Sequence, residues 1–488
     1  MNPVGPEGVS SAGPRSRRSW RMPPLVVAGL LLGASAAEAQ QITVNPRYGS
    51  VQDKAPLAWR QGDVSYLLNM AELPRAPGGD WAIQPTMSAS WGRPVEGSPT
   101  GWSTTRPDGT PMGKIYAFGG AGPTDGTETV DWGDGSLLRA SAAAAFRYNI
   151  PEGTIFYSTR LNTSSPARPK GAGADPGYGT RYRIMVYMSK DDARTWTLLP
   201  PVALSAKGPG DDGSMVGLWS NFLFERDDGT IQIYYDNQLA PWQEPGGRSR
   251  REQWVAMQSL VPGPSLAWTG QQAEIIVDGN QPGRPRPNAG MATVSRKSPG
   301  DGTMFVTLED VDYYGVPGEQ EPRFQLVIRV MKSADCGRSW MYVNTLRQPR
   351  GFNNMAPYHV RSRITGELIV VFRSDARRMG DPANPMYDPY VSAKQGSQTG
   401  NPRWLLGNIH VLRSGDDGAT WQPLEQAPGS PYRPGDDESS FEPGVTELRL
   451  SPTSSNLVFQ WGQFLGGLNP PAAGPPAKLW VQTVTIRK

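Results

Sequence analysis

Residues 414–421 read Ser-Gly-Asp-Asp-Gly-Ala-Thr-Trp, and the same pattern, Ser-x-Asp-x-Gly/Ala-x-Thr/Ser-Trp, occurs at 189–196 and at 333–340. The residue types of this pattern suit a tight turn between two strands. Asp accepts backbone N–H bonds, Gly adopts a positive φ, and Trp packs against a sheet. We therefore interpret the three copies as structural turns that mark a repeated β unit.

The spacing of the copies gives the length of this unit. Their final tryptophans are 144 and 81 residues apart: Trp196, Trp340 and Trp421. Half of the larger interval predicts a degenerate copy near residue 268, where Trp268 is present. The unit is then about 72 residues long, and the chain after residue 40 holds about six of them.

Glycine-containing turns mark the middle of each unit. They lie between two runs of β-forming residues, at 152–154, 228–230, 301–303 and 365–367. A further apolar run precedes each Trp-containing turn and another follows it, so each unit reads as four short antiparallel strands. Such sheets arranged around an axis form a β-propeller. The sequence therefore predicts an all-β, six-bladed propeller with almost no helix.

The predicted propeller fills the chain after an N-terminal signal. Arg17 and Arg18 precede a short apolar stretch, residues 25–36, and an Ala-Glu-Ala segment that ends at Ala39. This pattern is typical of an export signal, and the paired arginines also fit the twin-arginine route. About a dozen apolar residues are too few to span a bilayer. We expect residues 1–39 to be removed, and the protein to be secreted or periplasmic without a membrane anchor.

Residues 40–488 are predicted to form one domain. Its six units are expected at 64–132, 137–202, 214–277, 288–346, 355–427 and 440–486. The last unit lacks a recognisable Trp-containing turn, so the segment after Gln41 is expected to supply a closing strand. We expect a monomer.

The composition excludes several classes of function. The 488 residues carry 48 basic and 45 acidic side chains, a net charge of +3 that argues against a nucleic-acid-binding surface. Cys336 is the only cysteine, so no intramolecular disulfide can form. His359 and His410 are the only histidines, too few for a histidine metal cluster. We expect no metal and no cofactor.

The propeller topology locates a candidate site. The first strand of a blade lies nearest the axis and the second strand returns beside it, so first-strand entries and second-strand exits share one end of the propeller. Second-strand exits carry Arg160, Tyr235, Asp236, Glu309, Arg373 and Asp375. First-strand entries carry Trp219, Asn221, Tyr358, His359 and Glu442. Two carboxylates in such a group can cleave a glycosidic bond, at a separation of about 5–5.5 Å or about 6.5–9.5 Å. The sequence therefore predicts a carbohydrate site at this end.

The Trp-containing turns resemble the Asp-box repeats of the sialidase superfamily of six-bladed propellers. The resemblance covers nearly all of the chain after residue 40, and it implies a glycoside hydrolase with an oligo- or polysaccharide substrate. Arg139 and Asp175 are similar in position to the first substrate-binding arginine and to the catalytic Asp of true sialidases. However, Ser220 replaces the Glu of that family, and its second arginine falls at Tyr235. We therefore do not expect a sialidase.

The exo-arabinan hydrolases, a sister family on the same propeller, are more similar. Residues 290–309 resemble the segment of that family that ends in a catalytic Glu, which implies a catalytic role for Glu309. Residues 356–372 resemble its next blade. That family has a further Glu at the position of Ser220, so the second carboxylate stays open.

Three residues are candidates for this second carboxylate: Asp236, Glu442 and Asp175. Asp236 is at the second-strand exit of the blade that carries Ser220, and Glu442 is the fallback. Two alternatives stay open: a carbohydrate-binding propeller without catalysis, and another propeller enzyme such as a polysaccharide lyase, in which Arg and Tyr would carry the chemistry.

Overall fold

The computed structural model describes residues 40–42, 55–72, 82–91, 103–116, 129–164, 181–206, 217–238, 253–270, 273–275, 289–314, 323–346, 353–374, 408–424, 439–464 and 477–488. Within these ranges the protein consists of six antiparallel sheets and one short helix. The predicted six-bladed propeller is confirmed.

The strands follow one another blade by blade. β1 (Gln40–Ile42) belongs to the sixth blade. The first blade contains β2 (Leu57–Gln61), β3 (Val64–Glu72), β4 (Ala82–Trp91) and β5 (Ile115–Tyr116). The second contains β6 (Thr129–Arg139), α1 (Ala142–Tyr148), β7 (Ile155–Ser164), β8 (Arg181–Ser189), β9 (Thr197–Leu198) and β10 (Ala203–Ala206). The third contains β11 (Leu218–Glu225), β12 (Ile231–Asn237), β13 (Trp254–Val261), β14 (Ala267–Trp268) and β15 (Ala273–Ile275).

The other three blades have the same order. The fourth contains β16 (Gly290–Arg296), β17 (Met304–Tyr314), β18 (Arg323–Ser333) and β19 (Met341–Leu346). The fifth contains β20 (Asn354–Arg361), β21 (Leu368–Ser374), β22 (Asn408–Ser414) and β23 (Gln422–Pro423). The sixth contains β24 (Ser439–Ser451), β25 (Ser454–Phe464) and β26 (Ala477–Arg487). The first strands of neighbouring blades contact one another, so they are the innermost strands.

The sixth blade combines strands from both ends of the described chain. β1 pairs antiparallel with β26, with Gln41 opposite Trp480. This pairing confirms that the segment around Gln41 supplies the fourth strand. It also closes the ring of blades, so the sixth sheet does not expose β26 as a free edge.

The first blade differs from its predicted boundaries. It extends from residue 57 to residue 116, whereas the sequence predicted 64–132. β2 and β3 are joined by a turn of only two residues, in which Gly62 has a φ of 58°. The predicted unit starts directly after this turn, whereas the blade has one strand before it. As a consequence, residues 129–132 belong to the inner strand of the second blade.

The three Trp-containing turns have one common geometry, shown here for residues 414–421. Ser414 Oγ donates to Asp416 Oδ1 at 2.8 Å, and Thr420 donates to the same carboxylate from both its backbone N and its hydroxyl. The hydroxyl bond from Thr420 is the main reason why the pKa of Asp416 is lowered to about 2. Gly418 has a φ of 89°, which favours glycine. These turns are structural, as predicted.

The hydrophobic core lies between the blades. Buried apolar side chains that alternate along the strands fill the five interfaces from the first blade to the sixth. Between the sixth and first blades, the Asn69 side chain donates to Gln460 Oε1 at 2.8 Å. Phe156, Val306, Phe372 and Phe459 are completely buried in four different interfaces. Burial of one such side chain contributes about 1.5–3 kcal/mol.

Carboxylates join neighbouring blades at the end that carries the first-to-second strand turns. Glu225 of the third blade accepts hydrogen bonds from Ser141 of the second. Asp417 of the fifth blade accepts from Lys297 of the fourth at 2.8 Å. Glu447 of the sixth blade accepts from the backbone N of Arg363 in the fifth. This end of the propeller is therefore fixed by internal contacts, and the candidate site lies at the other end.

Candidate functional site

Five of the six inner strands contain a β-bulge, at which the pairing register with the second strand shifts. The register shifts at the start of β6, β11, β16, β20 and β24. Such bulges bend a strand and free backbone groups from the ladder. The first bulged residues are Asp134, Trp219, Met291, Ala356 and Glu442. The site is built on this repeated feature, because free N–H groups and re-aimed side chains meet there.

Asp236 lies at the exit of β12 and faces the fourth blade. Both of its carboxylate oxygens accept the backbone N–H of Met291, at 3.0 and 3.1 Å. Met291 has a φ of 52°, which turns its N–H away from its own sheet. Only 2% of Asp236 is exposed. The bulge of the next blade therefore holds this carboxylate in one place.

Glu309 has the equivalent position one blade further on. Its Oε2 accepts the backbone N–H of Ala356 at 2.9 Å, and Ala356 has a φ of 49° in the bulge of β20. Glu309 is half-buried, so its carboxyl is more accessible than that of Asp236. It pairs with Gly290, whose neighbour Met291 holds Asp236. The structure thus places the two carboxylates on either side of the entry to β16.

Arg160 occupies the corresponding exit in the second blade. Its guanidinium forms a 2.9 Å ion pair with Asp134 and lies 5.1 Å from the ring centre of Trp219 in the next blade. Asp134 is 6% exposed and has a φ of 52°. The positive charge of Arg160 is therefore matched by a buried carboxylate within the site.

Asp134 was missed by the sequence analysis. The Asp-Gly pair at 134–135 is a turn signal inside an otherwise strand-like run, and such a pair can indicate a bulge. Glu72 was also missed, because the first blade was assigned wrong boundaries. Glu72 ends β3, so its backbone is at the second-strand exit of the first blade.

The ring of Trp219 packs against the guanidinium of Arg160. Its indole N–H donates to Gln238 at 2.9 Å, and its ring meets the edge of Tyr182 at 5.4 Å. A side chain at Gly217 would approach two indole carbons within 2.9 Å, so a glycine is required there. These contacts fix the ring between its own blade and Tyr182 of the second blade.

Arg373 and Tyr358 are at the same end, in the fifth blade. Arg373 is 6% exposed and its guanidinium contacts the sulfur of Met355 at 3.2 Å. Tyr358 meets the ring of Phe222, in the third blade, edge-on at 5.5 Å. This aromatic pair connects the two blades that flank the fourth, and it lies beside the strand whose entry separates Asp236 from Glu309.

Ser220 and Asn221 lie in the inner strand of the third blade. Ser220 is 5% exposed and Asn221 is 6% exposed. The Asn221 side-chain oxygen accepts the hydroxyl of Ser158 in the second blade. Asn221 therefore contributes to the interface between the second and third blades, and the family carboxylate at Ser220 has no replacement at that position.

Arg139 is not part of this group. It ends β6 and pairs with Ile155, at the end of the propeller opposite to Asp236 and Glu309. Its guanidinium lies 5.6 Å from the ring centre of Trp59 in the first blade. The structure therefore does not bring Arg139 to the candidate site, because the strand crosses the whole blade before it reaches this residue.

Tyr235 is also not at the site surface. It is 2% exposed in the core between the second and third blades, and its hydroxyl accepts a hydrogen bond from Gln258 at 2.9 Å. Successive side chains in a strand face opposite sides. Because Asp236 faces the fourth blade, Tyr235 faces the second.

His359 is a structural residue between the fourth and fifth blades. It is 2% exposed; its Nδ1 is 2.8 Å from the Thr307 hydroxyl and its Nε2 is 2.8 Å from the Ser295 hydroxyl. Burial, and secondarily the charge of Arg361, lower the pKa of His359 to about 3. His359 was predicted at the site, but the structure places it below the strand entry and in the interface, because the bulge shifts the strand.

This buried histidine should make the stability depend on pH. The unfolded chain binds a proton at His359 below about pH 6.5, and the folded state does so only near pH 3. The contribution of neutral His359 to the free energy of unfolding is therefore complete above pH 6.5 and decreases as the pH falls. We expect about 1 kcal/mol to be lost between pH 7 and pH 5.5. Urea unfolding of the wild type and of His359→Gln measures this, and equal slopes with pH would contradict it.

Three predicted carboxylates cannot be placed in the site. Asp175 and Asp375 lie outside the described residues. Glu442 is in β24, at the bulge position, but only its backbone is described. Among the residues that the structure describes, no group of three or more His, Cys, Asp and Glu is arranged to hold a metal ion. In the same part of the chain, no helix has the length and hydropathy to cross a bilayer.

The fold is shared with solved structures, although no family model and no curated protein matches the sequence. An alpha-L-arabinanase of Penicillium chrysogenum, solved with arabinobiose, is 14% identical, has a TM-score of 0.50, and the match covers 91% of this chain and 96% of that one. An alpha-L-arabinofuranosidase of Fusarium graminearum is 14% identical, with a TM-score of 0.48 and coverage of 91% and 96%.

A sialidase of Trypanosoma rangeli is less similar. It is 9% identical and has a TM-score of 0.43, with coverage of 90% of this chain and 55% of that one. The six-bladed propeller predicted from the sequence is therefore the fold that this chain shares with the Penicillium arabinanase.

Proposed function

We propose that the protein is an exported, exo-acting glycoside hydrolase that cleaves an arabinan-like glycan. One observation carries this proposal: Asp236 and Glu309 are on consecutive blades, and each is held by the N–H group of a bulge in the next blade. Random surface charges would not repeat this arrangement. The signal-like residues 1–39 support export.

The two carboxylates suit different steps of glycoside hydrolysis. One must donate a proton to the leaving oxygen while the other acts as an anion. Asp236 is the better candidate for the anion, since both of its oxygens face an N–H donor. Glu309 accepts the Ala356 N–H through Oε2, and its half-buried carboxyl is more accessible than that of Asp236, which makes it the better candidate for the proton donor.

A neutral sugar fits the site better than an acidic one. The ion pair between Arg160 and Asp134 leaves little net positive charge at that exit. A sialic acid carboxylate needs a cluster of arginines whose charge is available. The Penicillium arabinanase of the same fold binds arabinobiose, which supports arabinose-containing chains as the first substrates to test.

A carbohydrate-binding protein without catalysis is the second candidate. It is favoured by the burial of Asp236, which leaves 2% of this residue exposed and occupies both oxygens. The buried Ser220 at the position of the family Glu points the same way. In this case the sugar would bind at the axial end and leave unchanged.

Product analysis separates the two candidates. The purified protein is incubated with linear arabinan oligosaccharides, and the products are separated by anion-exchange chromatography. We expect one short product to accumulate from the start, as for an exo-acting enzyme, and no release of sialic acid from a sialoside. The double variant Asp236→Asn/Glu309→Gln is the background control. Binding of the oligosaccharide without any product supports the second candidate. Release of sialic acid contradicts both the proposed arabinan-like substrate and the resemblance to exo-arabinan hydrolases.

A further inference from the structure

A groove on the side of the propeller lies between the first and second blades. It has a volume of about 550 Å³ and is bounded by β5 of the first blade and by β8, β9 and β10 of the second. Sites for small ligands have volumes of about 300–1,000 Å³. The groove is formed by outer strands, so it is separate from the carboxylates at the inner strands.

One wall of the groove is held rigid. Trp196 and Tyr187 both line it, and both rings pack against Tyr157, with ring centres 6.5 and 6.4 Å apart. The indole N–H of Trp196 donates to Gly113 O in the chain segment that leads to β5, at 3.1 Å. A ligand would therefore meet an aromatic wall that needs no ordering on binding.

The rim of the groove is apolar and exposed. Tyr116 is 42%, Leu198 50% and Leu204 60% exposed, and all three line the groove. They are three of the seven large hydrophobic side chains that are exposed in the described part of the chain. Apolar side chains scattered singly need no explanation, but a contiguous group indicates a binding surface.

The polar lining is basic. Lys114 and Arg183 border the groove, and no Asp or Glu is among the described residues that line it. Lys114 is exposed and sits two residues before Tyr116. Two cations beside aromatic rings give complementarity to a ligand that has one carboxylate and one apolar face.

A uronic acid unit of a glycan combines these two properties. Its ring presents C–H groups to an aromatic side chain, and its carboxylate can meet Lys114 or Arg183. An open groove with an exposed rim also suits a chain that continues on both sides. We propose that this groove binds an acidic, uronic-acid-containing glycan. The proposal is independent of hydrolysis at the axial end.

Calorimetric titration with tri-galacturonate tests the proposal. We expect a Kd below about 1 mM, at least five-fold weaker binding for Lys114→Gln, and at least ten-fold weaker binding for Tyr116→Ala. The matched control Lys488→Gln removes an exposed charge on the sixth blade and should change the Kd less than two-fold. The methyl-esterified trisaccharide, which has no charge, should bind at least ten-fold more weakly. Thermal unfolding verifies that each variant is folded.

Three results would overturn the proposal. The first is no binding of tri-galacturonate by the wild type. The second is binding that neither Lys114→Gln nor Tyr116→Ala weakens, which places the ligand elsewhere. The third is tighter binding of octanoate or of a tetra-glutamate peptide than of the trisaccharide, which assigns the groove to another class of ligand. None of these outcomes depends on whether arabinan is cleaved.

Discussion

Replacement of Glu309 by Gln is expected to lower turnover of an arabinan oligosaccharide about 1,000-fold, with less than a five-fold change in sugar affinity. Gln keeps the size of the side chain, and its oxygen can still accept the Ala356 N–H. It cannot donate a proton to the leaving oxygen as an acid does. General acid–base catalysis contributes about 10²–10⁴-fold, which sets the size of the effect.

The measurement needs turnover and affinity separately. Steady-state kinetics gives kcat, and calorimetry with a non-reacting arabinose disaccharide analogue gives affinity. Glu152→Gln is the matched control, since Glu152 is exposed in the turn at the opposite end of the second blade. Full activity of Glu309→Gln would remove this residue from the mechanism. Loss of affinity equal to the loss of turnover would show that it only binds sugar.

A leaving group that needs no protonation refines this experiment. With an activated aryl arabinofuranoside the acid is less important, so Glu309→Gln should lose less activity than with the natural linkage. Asp236→Asn should lose activity with both substrates if Asp236 is the anionic partner. Equal behaviour of the two variants would mean that the roles assigned to them are wrong.

The six-bladed architecture could be predicted because the residue types of the repeated turns determine the backbone geometry of those turns. In residues 414–421 the Ser, Asp and Thr side chains make local hydrogen bonds. The Ser and Asp bonds recur at 189–196 and at 333–340. The exits of second strands could also be predicted, since strand order fixes them. Asp236 and Glu309 therefore lie at second-strand exits, as predicted.

The side of the sheet on which each side chain lies could not be predicted in the same way. An inserted bulge residue changes which side of the sheet the following residues face. For this reason His359 turned out to lie in an interface and not at the strand entry. Tyr235 was misplaced because it was grouped with its neighbour Asp236, although neighbours in a strand face opposite sides. No pattern in the sequence marks the positive φ of Met291 or Ala356, on which the carboxylate positions depend.

The fourth blade contains an ion network centred on the buried side chain of Arg329. Arg329 is 1% exposed, and its guanidinium binds Asp310 at 2.8 Å, Asp312 at 2.5 Å and the hydroxyl of Thr345. Asp310 is completely buried and directly follows Glu309. The strand that carries the candidate acid thus continues into a network of charges in which Arg329 and Asp310 are buried and Asp312 is 18% exposed.

Arg329→Met is expected to destabilise the protein by about 3–5 kcal/mol, because it leaves two carboxylates without their cation. Urea unfolding monitored by tryptophan fluorescence measures the change. Arg413→Met is the matched control, since Arg413 is about one-third exposed and its nearest carboxylate, Glu367, is 3.9 Å away. An exposed pair of this kind contributes at most about 1 kcal/mol. A change of less than 1 kcal/mol for Arg329→Met would contradict the assignment.

The triple variant Arg329→Met/Asp310→Leu/Asp312→Leu separates the cost of unpaired charges from the loss of packing. Apolar residues that replace a whole buried ion network are often neutral or stabilising, whereas removal of one partner is strongly destabilising. We therefore expect the triple variant to recover most of the stability that Arg329→Met loses. If it stays as unstable as the single variant, the guanidinium acts mainly by filling space between β17 and β18. Recovery would show that Arg329 compensates charge, and that the strand beside Glu309 depends on this compensation.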